Sequence, residues 1–511
     1  MPEQLMAKWL HAIKPQWKVA FISSLIFGFL THMYIFTNTL PNHDGLVNGY
    51  ATQEKFSLGR FFLSPFSGIS SFFDLPWING SLSILYLALT AVALTIFLNL
   101  KKKISIVLTA GLLVTFPTIS STFSYMFTAD GYMFGFLLTA LALVVTKKYK
   151  YGFIPGALLF YMGVGVYQAN LPLLLTLIAI FLISEILCHR IPFNRLTVYM
   201  GRFFALTTIA MALYAITFKL YTNFFAGEIS DYQGLNKIGS SSATISERFT
   251  LIRESFNEFF FRGFATDVPF NLFEVLNVFV FILIIIGFFW FIFQNKIYSH
   301  LPNLVTAILL LLSLPLLAYC LYFVSSNVIY HMLMVLSLLS FYLLPVVFYD
   351  NFSKPNISSI ILSWSTVLLT LLIVFNFAVI ANISYFNANL KYERSYALLN
   401  RILDRIETTE GVTQESRFAF LGRISLDSNI SDTLVPENIP KMTGSLGSRF
   451  LVAPYHYNAM LKEYFGISLK MISEEERQKL IKSDLYDEME VWPAANSVKV
   501  VGNTVLIKLG E

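Results

Sequence analysis

The chain has 511 residues, of which 56% are hydrophobic and 13% charged, with a formal net charge of +5. A soluble globular chain carries about a quarter charged residues, so composition excludes a water-soluble domain over most of the length. Fifty Phe and a mean hydropathy of +0.63 point the same way. The basic residues sit in short clusters between apolar runs, so no nucleic-acid partner is indicated, and Cys188 and Cys320 suggest neither a disulfide framework nor a zinc site.

The first apolar run, Val19 to Phe36, has no small-residue cleavage site and reads as a retained anchor. Crossing the hydrocarbon core takes roughly 20 apolar residues. Such runs occur near 18–38, 80–100, 104–124, 131–146, 152–168, 170–188, 199–222, 273–293, 301–324, 328–349 and 357–381. They predict an α-helical polytopic membrane protein with about eleven transmembrane helices, and runs this uninterrupted exclude a barrel. Lys8, Lys14 and Lys18 precede the first run, Lys101 to Lys103 separate the second and third, and Lys147, Lys148 and Lys150 follow the fourth. His189, Arg190, Arg195 and Arg202 follow the sixth, and Lys296 and Lys354 mark the last two turns of this set. Clusters in every second loop place the N-terminus in the cytoplasm, and an odd count places the C-terminus outside.

Three larger segments then face outward: 37–79, 223–271 and 382–511. The first two are loops of a transmembrane domain over 1–381. The last has ordinary polarity, a strand-like run Phe418–Leu421, and alternating runs around Gly502-Asn503 that read as a β-hairpin. A small outer α/β domain is expected there.

The first outer loop carries the most chemistry. Asp44 follows the first helix closely, Asp74 closes the loop, and Lys55 and Arg60 lie between them among aromatic residues, as in an interfacial helix. The basic pair suits a lipid phosphate at headgroup level. Alternatively, Asp44 is a turn or N-cap residue and the pair snorkels. Asp130 has the form of an N-cap for the fourth helix. Gln168 and Asn170, beside Tyr167, offer amide donors and acceptors for sugar hydroxyls, or form a polar turn capping two helices. Glu247, Arg248, Arg253, Glu254, Arg262 and Asp267 in the second outer loop read as a solvated charged helix. His331, near the outer end of the tenth run with no second ligand in view, reads as structural.

The sequence contains no Walker A loop, dinucleotide fingerprint or HExxH motif, and it leaves no sizeable cytoplasmic domain for a nucleotide sugar. Few acids or bases lie mid-run, unlike an ion-coupled transporter. Chemistry at the outer face on a lipid-delivered substrate follows. A lipid-linked sugar flippase, an O-antigen polymerase and another outer-face transferase are the rival readings.

The runs Asn42-His43-Asp44-Gly45, Lys55 to Pro65 and Phe73 to Gly80, the Tyr167-Gln168-Ala169-Asn170 turn, and Val491-Trp492-Pro493-Ala494 before the hairpin resemble the serotype-converting O-antigen glucosyltransferases of enteric bacteria and their phages. The resemblance implies a GT-C type enzyme of the bacterial inner membrane with its C-terminal domain in the periplasm. It implies transfer of glucose from undecaprenyl-phosphate-glucose to a sugar hydroxyl of lipid-linked O-antigen, with a companion flippase and donor synthase supplying the donor. It implies Asp44 as catalytic acid/base with Asp74 beside it, Lys55 and Arg60 on the donor phosphate, and His43, Asp130, Gln168 and Asn170 around the sugars. Many such enzymes carry two neighbouring acids in this loop. Here His43 stands beside Asp44, with no acid within two residues, so the resemblance fixes no cofactor and leaves a divalent metal open.

Overall fold

The structure is a computed structural model that describes residues 2–4, 8, 12–70, 72–225, 227–231, 243–262, 272–352, 356–422, 451 and 453–510. The chain opens with helix α1 (Pro15–Thr37), and the loop after it carries two short helices, α2 (Gly45–Asn48) and α3 (Leu63–Ser67). The bundle continues through α4 (Pro76–Phe97), α5 (Lys103–Thr115), α6 (Pro117–Phe123), α7 (Met126–Lys148), α8 (Phe153–Val166), α9 (Asn170–Leu187) and α10 (Phe193–Phe224). After α11 (Ile245–Phe261) come α12 (Leu272–Gln294), α13 (Leu301–Ala318), α14 (Leu339–Asn351) and the 51-residue α15 (Ile357–Glu407).

Among the described residues, eight helices are long and apolar enough to cross a membrane: α1, α4, α7, α9, α10, α12, α13 and α15. The chain is a multi-pass membrane protein. The three remaining apolar runs are shorter or broken. Helices α5 and α6 form a pair bent by 40°, because Pro117 pushes Phe116 out of the helical region. Helix α8 has 14 residues, about 21 Å at 1.5 Å per residue. Helix α14 follows two 3₁₀ turns, Met332–Met334 and Leu336–Leu338, so its run is only partly α-helical.

One end of the bundle gathers the basic loops. The Asp350 carboxylate accepts from the backbone N–H of Lys101 at 3.0 Å and of Lys102 at 2.8 Å. Lys147 Nζ donates to the Phe97 carbonyl at 2.7 Å and lies over the Phe181 ring. Asn295 donates to the Leu187 carbonyl at 2.6 Å, and Asn303 to that of Ile191 at 2.9 Å. The turns after α4, α7, α9, α12 and α14 therefore meet. Within the bundle, buried His32 joins three helices by bonding Tyr385 Oη at 2.6 Å and the Val114 carbonyl at 2.8 Å.

The C-terminal region is a four-stranded sheet in the order β2-β1-β4-β3, made of β1 (Arg417–Leu421), β2 (Lys470–Met471), β3 (Val498–Val501) and β4 (Thr504–Lys508). Strand β1 runs parallel to β2 and β4, and β3 and β4 form the expected antiparallel hairpin. Two further helices, α16 (Pro454–Met460) and α17 (Glu474–Ile481), flank the sheet. Leu399, Ile402 and Ile406 at the end of α15 pack on Phe420, Val505 and Ile507. Helix α15 thus runs from the bundle into the core of this region, and the boundary expected after residue 381 falls inside it.

The loop after α1 touches this region, where Tyr50 Oη donates to Glu463 Oε1 at 2.5 Å. The first loop and the C-terminal sheet share one side.

Candidate active site

The loop after α1 folds as two linked turns. Asn42 Oδ1 accepts from the Gly45 N–H at 2.7 Å and so starts α2. Asp44 occupies the capping position of α2, yet its side chain makes no capping bond. Its carboxylate is 47% exposed and lies 3.7 Å from His43 Nε2. The Asp44 side chain therefore does not cap α2, and Asn42, two residues earlier, bonds the first N–H of the helix instead. Asn48, at the end of α2, donates to the Asp44 carbonyl at 2.9 Å and accepts from Lys55 Nζ at 3.1 Å. The Asp74 N–H donates to the carbonyl of Gly49, the next residue, at 2.7 Å. The two acids therefore flank one helical turn.

Burial is the main cause that lifts the Asp74 carboxyl to about 7, with the charge of Glu463 adding to it. Its Oδ1 is enclosed and makes no hydrogen bond among the described residues.

The second turn positions Arg60. Lys55 and Arg60 pair as an isolated antiparallel bridge across a bend at Gly59, whose φ of +71° suits glycine. Tyr214 Oη donates to the Gly59 carbonyl at 3.0 Å, and Gln168 Nε2 donates to the Leu58 carbonyl at 2.7 Å. Arg60 donates to Tyr132 Oη at 3.0 Å and stacks its guanidinium 4.9 Å from the centre of the Tyr167 ring. It lines a partly open cavity together with Tyr167, Gln168, Tyr214, His331 and a mostly aliphatic remainder.

The structure thus links Asp44, Lys55, Arg60 and Asp74 through one loop, but it separates the two cations. Arg60 reaches the cavity, whereas Lys55 stays with Asn48 and is not among the cavity's lining residues. Gln168 lines the cavity while holding the Arg60 turn. Asn170 is fully buried and donates to the Gly163 carbonyl at 2.8 Å, away from that lining.

Asp130 corrects the sequence reading. Helix α7 begins at Met126, so Asp130 lies inside the helix and does not cap it. The helix starts one turn earlier, after Tyr125, and no side chain caps it. Asp130 is wholly buried under the loop, hydrogen-bonded to Ser70 and to the Gly131 N–H. In the second loop, Arg248 donates to the carbonyls of Tyr322 and Phe323, the latter at 2.6 Å. That arginine is docked rather than solvated, and Asp267 lies outside the described residues.

Two further residues come from the C-terminal region, about 400 positions away. The His456 ring lies 5.8 Å from that of His43. Burial, and then the charge of His43, lowers its pKa to about 4. Glu463 is the partner of Tyr50 and the charge beside Asp74. Neither carries a motif that would have singled it out. Among the described residues, no three His, Cys, Asp or Glu side chains are grouped as a metal site would need.

The family described as glucosyl transferase GtrII matches residues 33–348. The chain belongs to the GtrII glucosyltransferase family. This GtrII protein is accordingly a glucosyltransferase. The matched stretch holds the whole first loop and every residue lining the Arg60 cavity, and it ends before α15. No curated protein and no solved structure matches the chain.

Proposed function

We propose that this GtrII enzyme transfers glucose from undecaprenyl-phosphate-glucose to a sugar hydroxyl of lipid-linked O-antigen at the periplasmic face of the inner membrane. The observation that carries the reading is Arg60 on the wall of a mainly aliphatic cavity, one loop turn from two carboxylates. An isoprenoid phosphate needs this combination: an apolar wall for its chain and a planar fork of donors for its phosphate.

In the proposed step, the acceptor oxygen attacks the anomeric carbon and gives its proton to the Asp44 carboxylate. The bond from that carbon to the phosphate oxygen breaks, and its electron pair leaves with the phosphate beside Arg60. One displacement inverts the anomeric centre. Asp74 holds α2 and, with a carboxyl lifted to about 7, is the second proton-accepting candidate. His43 and the C-terminal region border the acceptor side, Gln168 faces the donor cavity beside Arg60, and Lys55 assists through Asn48. A synthase and a flippase supply the donor. Eleven crossings, with the N-terminus in the cytoplasm, would put the first loop and the C-terminal region on one side, as their Tyr50–Glu463 contact needs, and the end that gathers the basic turns on the other.

The test is transfer by the purified protein in proteoliposomes, using radiolabelled polyprenyl-phosphate-glucose and lipid-linked O-antigen, followed by linkage analysis. One new glucosyl linkage is expected. Movement of the lipid-linked sugar across the bilayer with no new linkage would instead identify a flippase.

A further inference from the structure

The cavity wall holds a second basic side chain that the family reading leaves without a task. Eight of the fourteen lining residues are Leu, Val or Met. Among the polar ones, Gln168 spends its amide nitrogen on the Leu58 carbonyl and Tyr214 Oη, and Tyr214 donates to the Gly59 carbonyl. The basic residues of the lining are Arg60, from the loop after α1, and His331, from the segment between α13 and α14. The backbone holds His331 at this place. Its carbonyl accepts from the Met334 N–H at 2.8 Å, closing a 3₁₀ turn, and Thr118 Oγ1 anchors that turn on the Met332 carbonyl at 2.7 Å.

We propose that His331 is a catalytic residue that contacts the departing phosphate of the donor in this cavity. The inference rests on the polyprenyl-phosphate donor proposed above. A sugar phosphodiester carries one negative charge, which Arg60 offsets. The phosphate monoester released carries about 1.5 to 2 at neutral pH. The additional charge appears only as the bond to the anomeric carbon breaks, with its electron pair passing to the phosphate oxygen. A ring N–H donating to that oxygen is therefore stronger in the transition state than in the bound donor, and such contacts raise kcat rather than lower KM. The imidazole proton stays on the ring throughout, and the acceptor's proton goes to the loop carboxylate.

The experiment compares wild type, His331→Gln and His331→Ala in proteoliposomes, each checked for monodisperse elution and unchanged melting. It measures donor kcat and KM, and inhibition by a polyprenyl monophosphate, the product. Loss of one such donor group typically lowers kcat by about 10²–10³-fold, and at least the lower value is expected for His331→Ala. Donor KM should stay within about twofold, inhibition by the monophosphate should weaken about tenfold, and His331→Gln should recover part of both. Unchanged kcat and inhibition would overturn the proposal. So would an equal loss for diester donor and monoester product, which would mark His331 as wall packing alone. The wild-type arm tests the donor reading separately: a protein that neither uses the polyprenyl-phosphate sugar nor is inhibited by the monophosphate refutes that reading, and the inference with it.

Discussion

The backbone N–H of Asp74 donates to the carbonyl of Gly49 at 2.7 Å, so the end of the first loop is tied to the turn that Asp44 begins. This bond places a half-exposed carboxylate at the start of α2 and an enclosed one beside its end. Exposure separates their proton chemistry, and several consequences can be measured.

The Asp74 carboxyl is raised to about 7, chiefly by burial. The folded protein then holds a proton that the unfolded chain releases at the ordinary carboxylate pKa of about 4. The stabilisation is complete below that value and is lost as pH rises through about 7. Melting temperature in detergent should fall from pH 5 to pH 8, and Asp74→Asn should flatten that slope. An equal slope in the variant would show that another group is responsible.

Arg60 uses one arm on Tyr132 and its flat face on Tyr167, which a lysine ammonium cannot reproduce. Arg60→Lys should raise donor KM at least about tenfold, near the lower end of the roughly 1.5–3 kcal/mol typical of hydrogen bonds to charged groups. Donor-dependence curves at equal amounts of inserted protein provide the check, and a fully active lysine variant would contradict the phosphate assignment.

A Cβ on Gly59 would lie 2.3 Å from Tyr214 Oη, on a backbone with φ of +71°. A Cβ on Gly466, at φ of +70°, would meet nothing within 4 Å. Both alanine variants meet backbone strain of about 1–3 kcal/mol, but only Gly59→Ala also displaces Tyr214 and Gln168. Its melting temperature should fall further than that of Gly466→Ala, and its donor KM should rise. Equal behaviour of the two would mean that the loop turn yields without consequence.

A phosphatase fused after Gly411, beyond the end of α15, should be active outside the cytoplasm, and one fused after Lys148 should not. The reverse pattern would turn the whole site toward the cytoplasm.

Hydropathy made the helical bundle legible, because each apolar run is local and long. It could not show that Pro117 breaks the third run into α5 and α6, since a run above the length threshold looks uniform. The β-hairpin was legible from Gly502-Asn503 and two-residue alternation. The continuation of α15 was not, because polarity changes near residue 382 while helical geometry does not. Within the site, Asp44 and Arg60 stood out by type and position. Asp130 misled because an acid ahead of an apolar run has the form of a cap, although the helix had already begun. His456 and Glu463 reach the first loop only through tertiary contacts across about 400 residues, a distance over which local pattern carries no information.

Asp44 is the residue proposed to take the acceptor's proton. Asp44→Asn keeps the shape of the side chain and cannot accept that proton. Since its carboxylate makes no capping bond, folding should be unaffected. General-base loss typically costs about 10²–10⁴-fold, and Asp44→Asn should fall in this range, with Asp74→Asn milder. The measurement is O-antigen glucosylation normalised to membrane-inserted protein, with both variants side by side. Near-normal transfer by Asp44→Asn together with collapse in Asp74→Asn would move the base to the enclosed carboxylate and contradict the account.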